Sequence, residues 1–513
     1  MESTFKPALL LGSGRVLAFA ATFFIPIVLV RVFDQAEFGT YKQIFLIFFT
    51  LYGLVQFGMA ESLFYFLPLA PKKGGRYVLN AILALAAAGL VFLGLLEISR
   101  EKVASLLSNA DLARHMTLLG IYLLLMAISA VLEIVMISRK RYLWATFSYA
   151  VSDFLRAVFL IVPVVLMRHM DWLLIGAVAF AAVRLGATLL YVRYEFSGEM
   201  KPDPSLFRQQ LAYALPFQMS VLLAILESNF HSYTVSYNFD PATFAVYDVG
   251  CLQIPLVEFL ALSVSNVLMV RMGEELRDGR QGNALALWHD VTRKLALVFF
   301  PLLALVLVSA EDVIVFLFTE SYRASVPVFM VWSVTILFAA FQTDGVLRVY
   351  AQNRFLLVLN ALKLVLVAAL TYWFISLFGL PGAALVAVFT LFVDKALALV
   401  RMRTLLRSPL SRLLPWKSLV AILAVAGVAG VVALVVKSQL VIPTLPLLLA
   451  TGMVYTVSYV ALIYGFGLLS EEERFAATSW LQKWAFLRSR AGDVTELSPD
   501  PTKNNEPIRQ AQS

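Results

Sequence analysis

The chain has 513 residues, 60% of them hydrophobic and 14% charged, with a mean hydropathy of +0.82, whereas a soluble domain carries about 25% charged residues. That composition excludes a water-soluble enzyme or binding module, and the single cysteine, Cys251, excludes an intramolecular disulfide framework. The formal net charge of +8 raises nucleic-acid binding, but in a membrane chain the basic residues are first accounted for by topology.

Apolar runs of about 20 residues recur along the chain, each long enough to cross a hydrocarbon core about 30 Å thick. Ten-residue alternating segments are missing, which favours helices over a barrel. The first span is expected at 8–31. Ala18-Phe19-Ala20 resembles a signal-peptidase site, yet the run continues through Ile25, Pro26 and Val30, so the span is read as uncleaved. Arg15 lies about 10 Å into it at the helical rise of about 1.5 Å per residue. It snorkels to headgroups, pairs with Glu61 of the antiparallel second span, or faces a cavity and binds an anion.

After a turn in which Asp34 and Glu37 form a capping box, spans are expected at 41–68, 77–97 and 117–138, the last containing Glu133. In the next two, 144–167 and 171–192, Asp153 and Arg156 stand three residues apart and pair on one face, and Arg184 completes a triad. The seventh span, 211–237, carries Glu227, Asn229 and His231, with His231 read as a packed or wet histidine near the outer interface. The eighth, 244–270, holds Cys251 as a small core residue, together with Asp248 and Glu258. Spans follow at 295–318, 325–347, 355–377 and 381–400. Lys363 stands near mid-span with no local acid, and Asp394 and Lys395 point in different directions, Lys395 snorkelling. Two final spans, 416–436 and 444–467, bring the total to fourteen. Trp480, Trp484 and Leu487, at i, i+4, i+7, suit an interfacial helix over 471–490, and 491–513 reads as a disordered tail.

Lys and Arg crowd into alternate loops, such as Lys72-Lys73, Arg139-Lys140-Arg141 and Arg401–Lys417. The opposite loops hold few, among which Lys42 is counted. The positive-inside rule then places both termini in the cytoplasm.

Phe33-Asp34-Gln35-Ala36-Glu37-Phe38-Gly39-Thr40-Tyr41 is matched by Phe239-Asp240-Pro241-Ala242-Thr243-Phe244-Ala245-Val246-Tyr247 at Phe, Asp, Ala, Phe and Tyr. Six spans separate the copies, an even number, so the halves share one orientation. The expected architecture is all-α integral membrane: an N-lobe over 1–195, a C-lobe over 205–405 and two additional helices over 412–468. Capping is the local reading of the matched residues, with Asp240 as N-cap before Pro241.

The stretch Arg31 to Pro68, reading R-V-F-D-Q-A-E-F-G-T-Y and ending F-Y-F-L-P, resembles the first helix pair of Wzx-type polysaccharide flippases. Leu211-Ala-Tyr-Ala-Leu-Pro216, Leu317-Phe-Thr-Glu-Ser-Tyr-Arg-Ala-Ser-Val-Pro327 and Leu377-Phe-Gly-Leu-Pro-Gly-Ala-Ala384 resemble later landmarks of that family, whereas Ala245 stands where the family usually has Gly. The resemblance implies membership of the multidrug, oligosaccharidyl-lipid and polysaccharide exporter superfamily, with two lobes around a cavity that opens alternately to each side. It also implies undecaprenyl-pyrophosphate-linked oligosaccharide as substrate, a lipid tail near 416–467, the bacterial cytoplasmic membrane as location and work beside a polysaccharide polymerase and chain-length regulator.

Independently of family, carrying an anionic headgroup through lipid needs cations in a polar cavity. The substrate-binding candidates are Arg15, Lys363, Arg156 and Arg184, and Glu227 and Glu258 are the candidates for ion coupling. A multidrug/cation antiporter of the same superfamily is the nearest alternative. A polysaccharide polymerase or ligase needs a larger outer loop than this chain offers. G-x-x-x-x-G-K-[ST] and H-E-x-x-H do not occur, so no cofactor or metal is expected.

Overall fold

The computed structural model describes residues 23–197, 200–471 and 473–474. All regular elements among them are helical, as burial in lipid requires of a chain whose backbone must satisfy its own hydrogen bonds. The end of α1 is seen over 23–29. There follow α2 (Gln35–Leu69), α3 (Pro71–Leu106), α4 (Leu112–Ser138), α5 (Tyr142–Met167) and α6 (Met170–Glu195). Next come α7 (Pro204–Asn238), α8 in two pieces (Pro241–Gly250 and Pro255–Arg277) and α9 (Gln281–Val308, continued by Ala310–Phe318). The last are α10 (Glu320–Val349), α11 (Asn353–Phe378), α12 (Leu380–Leu405), α13 (Trp416–Gln439) and α14 (Thr444–Gly465). Twelve helices among the described residues are long and apolar enough to cross a membrane, or thirteen with the bent α7 counted as one. Arg15, nearly all of the interfacial segment 471–490 and the tail 491–513 lie outside the described residues.

Several connections expected to be polar loops are helical extensions: α3 runs to Leu106 and α9 starts at Gln281. The eighth span is not continuous. It opens over Cys251–Ile254, immediately before Pro255, which has no N–H to donate and drives the preceding residue out of the helical region. In α2 the break at 56–58 places Phe57 and Gly58 at φ 44° and 67°, and α7 bends by 47° between Pro204–Pro216 and Val221–Asn238.

In the first half α3 packs on α4, α4 on α6, and α5 on α6; in the second α8 packs on α9 and α10, and α11 on α12. α13 and α14 form a pair against α9. α7 lies along both α2 and α3 and against α11, joining the halves.

The two copies of the internal repeat meet. Asp34 caps α2 through the Glu37 amide at 2.8 Å while Glu37 reaches back to the Asp34 amide, and Asp240 caps α8 through the Thr243 amide at 3.0 Å, the capping expected from both motifs. The start of α8 then packs along the start of α2. The approach is close enough that a Cβ at Gly39 would overlap the Pro241 carbonyl oxygen and lie 2.5 Å from its carbon. Glycine is required in this copy, while Ala245, at the matched place in the other, is accommodated in the core.

Candidate functional site

One group of contacts between the halves lies at the end of the bundle that carries the repeat turns. Arg31 donates to the carbonyls of Phe316 and Leu317, both at 2.8 Å, and Gln35 donates to the Ser321 carbonyl at 2.6 Å. A buried amide chain lies beneath: Asn109 donates to Gln43, and Gln43 donates to Ser236 on α7 at 2.8 Å. These helix ends bring their own polar groups to the seam, and pairing them across it avoids the cost of burying them unsatisfied.

Below this seal lies a cavity of about 790 Å³ bounded by α1, α2, α4 and α5 on one side and α7, α8, α10, α11 and α12 on the other. Its walls differ in charge. Lys42 and Arg156 line it from the first half; Glu227, Asp248 and Glu258 line it from the second. Tyr41, Phe45, Phe49, Tyr122 and Trp332 add aromatic surface, and the opened backbone of α8 contributes Leu252, Gln253 and Ile254, an interruption tolerated in a membrane where it lines a cavity.

Lys42 Nζ lies 2.6 Å from Asp248 Oδ2, with the two side chains 21% and 28% exposed, and the ammonium also sits 5.5 Å from the centre of the Phe38 ring. By sequence Lys42 counts among the loop charges at the very start of the expected span 41–68; the structure places it two turns inside α2. The signal was available, because an Asp34 cap starts the helix at Gln35 and puts Lys42 about 10 Å along it at the helical rise.

The other candidates are distributed as follows. Arg156 pairs with Asp153 at 2.9 Å, the local pair expected from their spacing, and lines the cavity. Arg184 does not complete that triad by a direct contact. It binds Glu133 on α4 at 2.7 Å and Ser152 on α5, inside the first half, and it is not among the residues lining the cavity. Lys363 stands behind the wall and reaches Glu227 at 3.4 Å. Glu258 is exposed and lines the cavity directly. Lys395 bends its flexible stem back to Asp394 at 3.6 Å and reaches Asp344 at 3.0 Å, rather than pointing away. His231 is buried, as a packed histidine is expected to be, and exchanges a hydrogen bond with the Tyr247 hydroxyl at 2.7 Å.

Outside the spans, two capping carboxylates are held below the usual range: Asp203 by hydrogen bonds from the Ser205 hydroxyl and the Leu206 amide, and Asp240 by the Thr243 amide. Asp203 also accepts from Arg76 at 3.3 Å, tying the start of α7 to α3. Among the described residues no group of three His, Cys, Asp or Glu side chains is placed to hold a metal ion.

Residues 28–327 match the model of a family described as polysaccharide biosynthesis protein. The chain belongs to this family. The polysaccharide biosynthesis family member has no match among curated proteins. Its fold is shared with the lipid II flippase MurJ in an inward closed conformation, with a TM-score of 0.67 at 12% identity, covering 88% of this chain and 99% of that one. An inward-facing multidrug resistance MATE transporter of the MOP superfamily aligns with a TM-score of 0.59 at 13% identity, covering 77% and 94%. A MOP superfamily transporter of Pyrococcus furiosus, described as having a binding pocket of reversed polarity, aligns with a TM-score of 0.54 at 13% identity, covering 78% and 95%. At these identities the likeness concerns the fold.

Proposed function

We propose that this protein is a transporter, not an enzyme, that flips undecaprenyl-pyrophosphate-linked oligosaccharide across the bacterial cytoplasmic membrane by alternating access, for O-antigen, capsule or exopolysaccharide synthesis. The observation that carries the reading is the cavity between the halves. It offers cations for a diphosphate and aromatic faces for sugar rings, and the family assignment and the fold shared with MurJ support it. With both termini taken as cytoplasmic, the repeat-turn end faces outward and the seal there closes the cavity from the outside. Of the expected substrate cations Arg15, Lys363, Arg156 and Arg184, Arg156 lines the cavity and meets the substrate directly, Arg15 remains a proposed ligand, Lys363 acts from behind the wall through Glu227, and Arg184 is reassigned to holding the first half together. Glu227 and Glu258 are the proposed coupling acids. The N-lobe 1–195 and the C-lobe 205–405 move against each other, 412–468 borders the lipid tail, and a polymerase and chain-length regulator act on the product.

Deletion tests the proposal: the lipid-linked oligosaccharide accumulates in the inner leaflet while its assembly continues. Loss of the intermediate altogether refutes it. The acidic second-half wall of Asp248, Glu227 and Glu258 favours one rival, export of cationic drugs, for which deletion leaves polymer intact and lowers drug resistance.

A further inference from the structure

The cavity walls carry opposite charge, and at one point the walls touch. Arg156 is held by Asp153 of its own helix, and Glu227 by Lys363 of its own half. Lys42 and Asp248 instead join α2 to α8 across the cavity at 2.6 Å. Both line the cavity and retain partial exposure, so the ammonium is reachable from it. Around them the halves are held at the same end by neutral acceptors, the Phe316, Leu317 and Ser321 carbonyls, and by the Gly39–Pro241 approach.

We propose that Lys42 receives the anionic phosphate of the substrate and that Asp248 is the occupant this anion displaces. The inference rests on the flippase reading and adds how cargo and closure communicate. A diphosphate carries more negative charge than one carboxylate and offers more oxygens to a single ammonium, so it competes well for Lys42. The exchange reverses the sign of the force across the seam. Before it, a cation on α2 faces an anion on α8. After it, the neutralised Lys42 and its bound anion face Asp248, with Glu227 and Glu258 on the same wall, and like charges in a poorly solvated cavity repel. The halves are then pushed apart at the end where the remaining contacts are uncharged on one side, which opens the seal when anionic cargo is aboard. A cargo without an anion leaves the pair intact.

The experiment uses full-length protein in liposomes, with Cys251→Ala removing the native thiol and Gln35→Cys with Ser321→Cys reporting closure through a short thiol crosslinker. Undecaprenyl pyrophosphate is the probe and undecaprenol its neutral control. Crosslinking is expected to fall several-fold with the pyrophosphate lipid and to stay unchanged with undecaprenol. Lys42→Gln and Asp248→Asn both lower crosslinking before any lipid is added, Lys42→Gln shows no further fall with the pyrophosphate lipid, and Lys42→Arg keeps both the basal crosslinking and the response, which separates charge from folding. A Lys42→Gln protein that responds like its parent overturns the proposal, as does a parent that responds equally to undecaprenol or to neither lipid. Failure of this proposal is told from failure of the flippase reading in cells: Lys42→Gln cells that still clear the lipid-linked oligosaccharide from the inner leaflet sink the exchange alone, whereas a deletion strain that never accumulates it sinks the function.

Discussion

Replacing Arg184 separates a cation that binds cargo from one that holds the scaffold. Its guanidinium lies 2.7 Å from Glu133 Oε2, with the side chains 13% and 3% exposed, and Ser148 donates to the other carboxylate oxygen at 2.8 Å. At an effective dielectric of about 20, two unit charges at this separation attract by roughly 6 kcal/mol before desolvation is subtracted. Removing one partner from such a buried pair strands the other charge, at a cost of about 3–5 kcal/mol. Arg184→Ala is therefore expected to lower the midpoint of thermal unfolding of the detergent-purified protein and its abundance in the membrane. Glu133→Leu is expected to do the same. The double variant Glu133→Leu/Arg184→Met removes both charges and recovers most of the loss, because the two substitutions act on one interaction and are far from additive. Arg184→Lys falls between, keeping the charge on Glu133 but losing the contact with Ser152. An Arg184→Ala protein of parental stability and abundance that no longer transports would refute the scaffold role and return Arg184 to the cargo.

Gly39→Val is expected to prevent α2 and α8 from meeting, reducing the Gln35–Ser321 crosslink several-fold at near-normal abundance; an unchanged yield would show that the close approach does not set closure. Asp240 is held below its usual range by the Thr243 amide, so its charge stabilises the fold fully above the unfolded carboxylate value of about 3.9 and ceases to do so as pH falls through the lower folded value. The difference in thermal midpoint between the parent and Asp240→Asn should thus be present at neutral pH and shrink as the pH falls below the unfolded carboxylate value, and a pH-independent difference would contradict this. Reporter fusions after Lys201 and Asp240 should report cytoplasmic and external locations respectively, and the reverse would remove the topology. Arg15→Ala is expected to abolish flipping at normal abundance while Arg15→Lys retains part. Lowered abundance restored by apolar replacement of both Arg15 and Glu61 would assign Arg15 to pairing instead, which is pertinent because Glu61 Oε2 is buried without a partner among the described residues.

The sequence by itself determined the helical membrane class, the repeat and its two caps, because each depends on local quantities: twenty apolar residues span a bilayer whatever surrounds them, and Asp34 and Asp240 reach amides three residues away. The pair Asp153–Arg156 was legible for the same reason, both lying on one helix face. The sequence also carried the breaker at Pro255, but a long apolar run hid the open backbone of α8, since hydropathy does not register a missing hydrogen bond. Only the tertiary structure decided which charges meet. Lys42 and Asp248 are distant in sequence and joined because the two repeat copies pack at Gly39, and Arg184 leaves the nearby Asp153 for Glu133 because α4 and α6 pack together. In a low-dielectric interior an ion takes the partner that helix packing brings within about 4 Å, and the order of residues along the chain does not specify that packing.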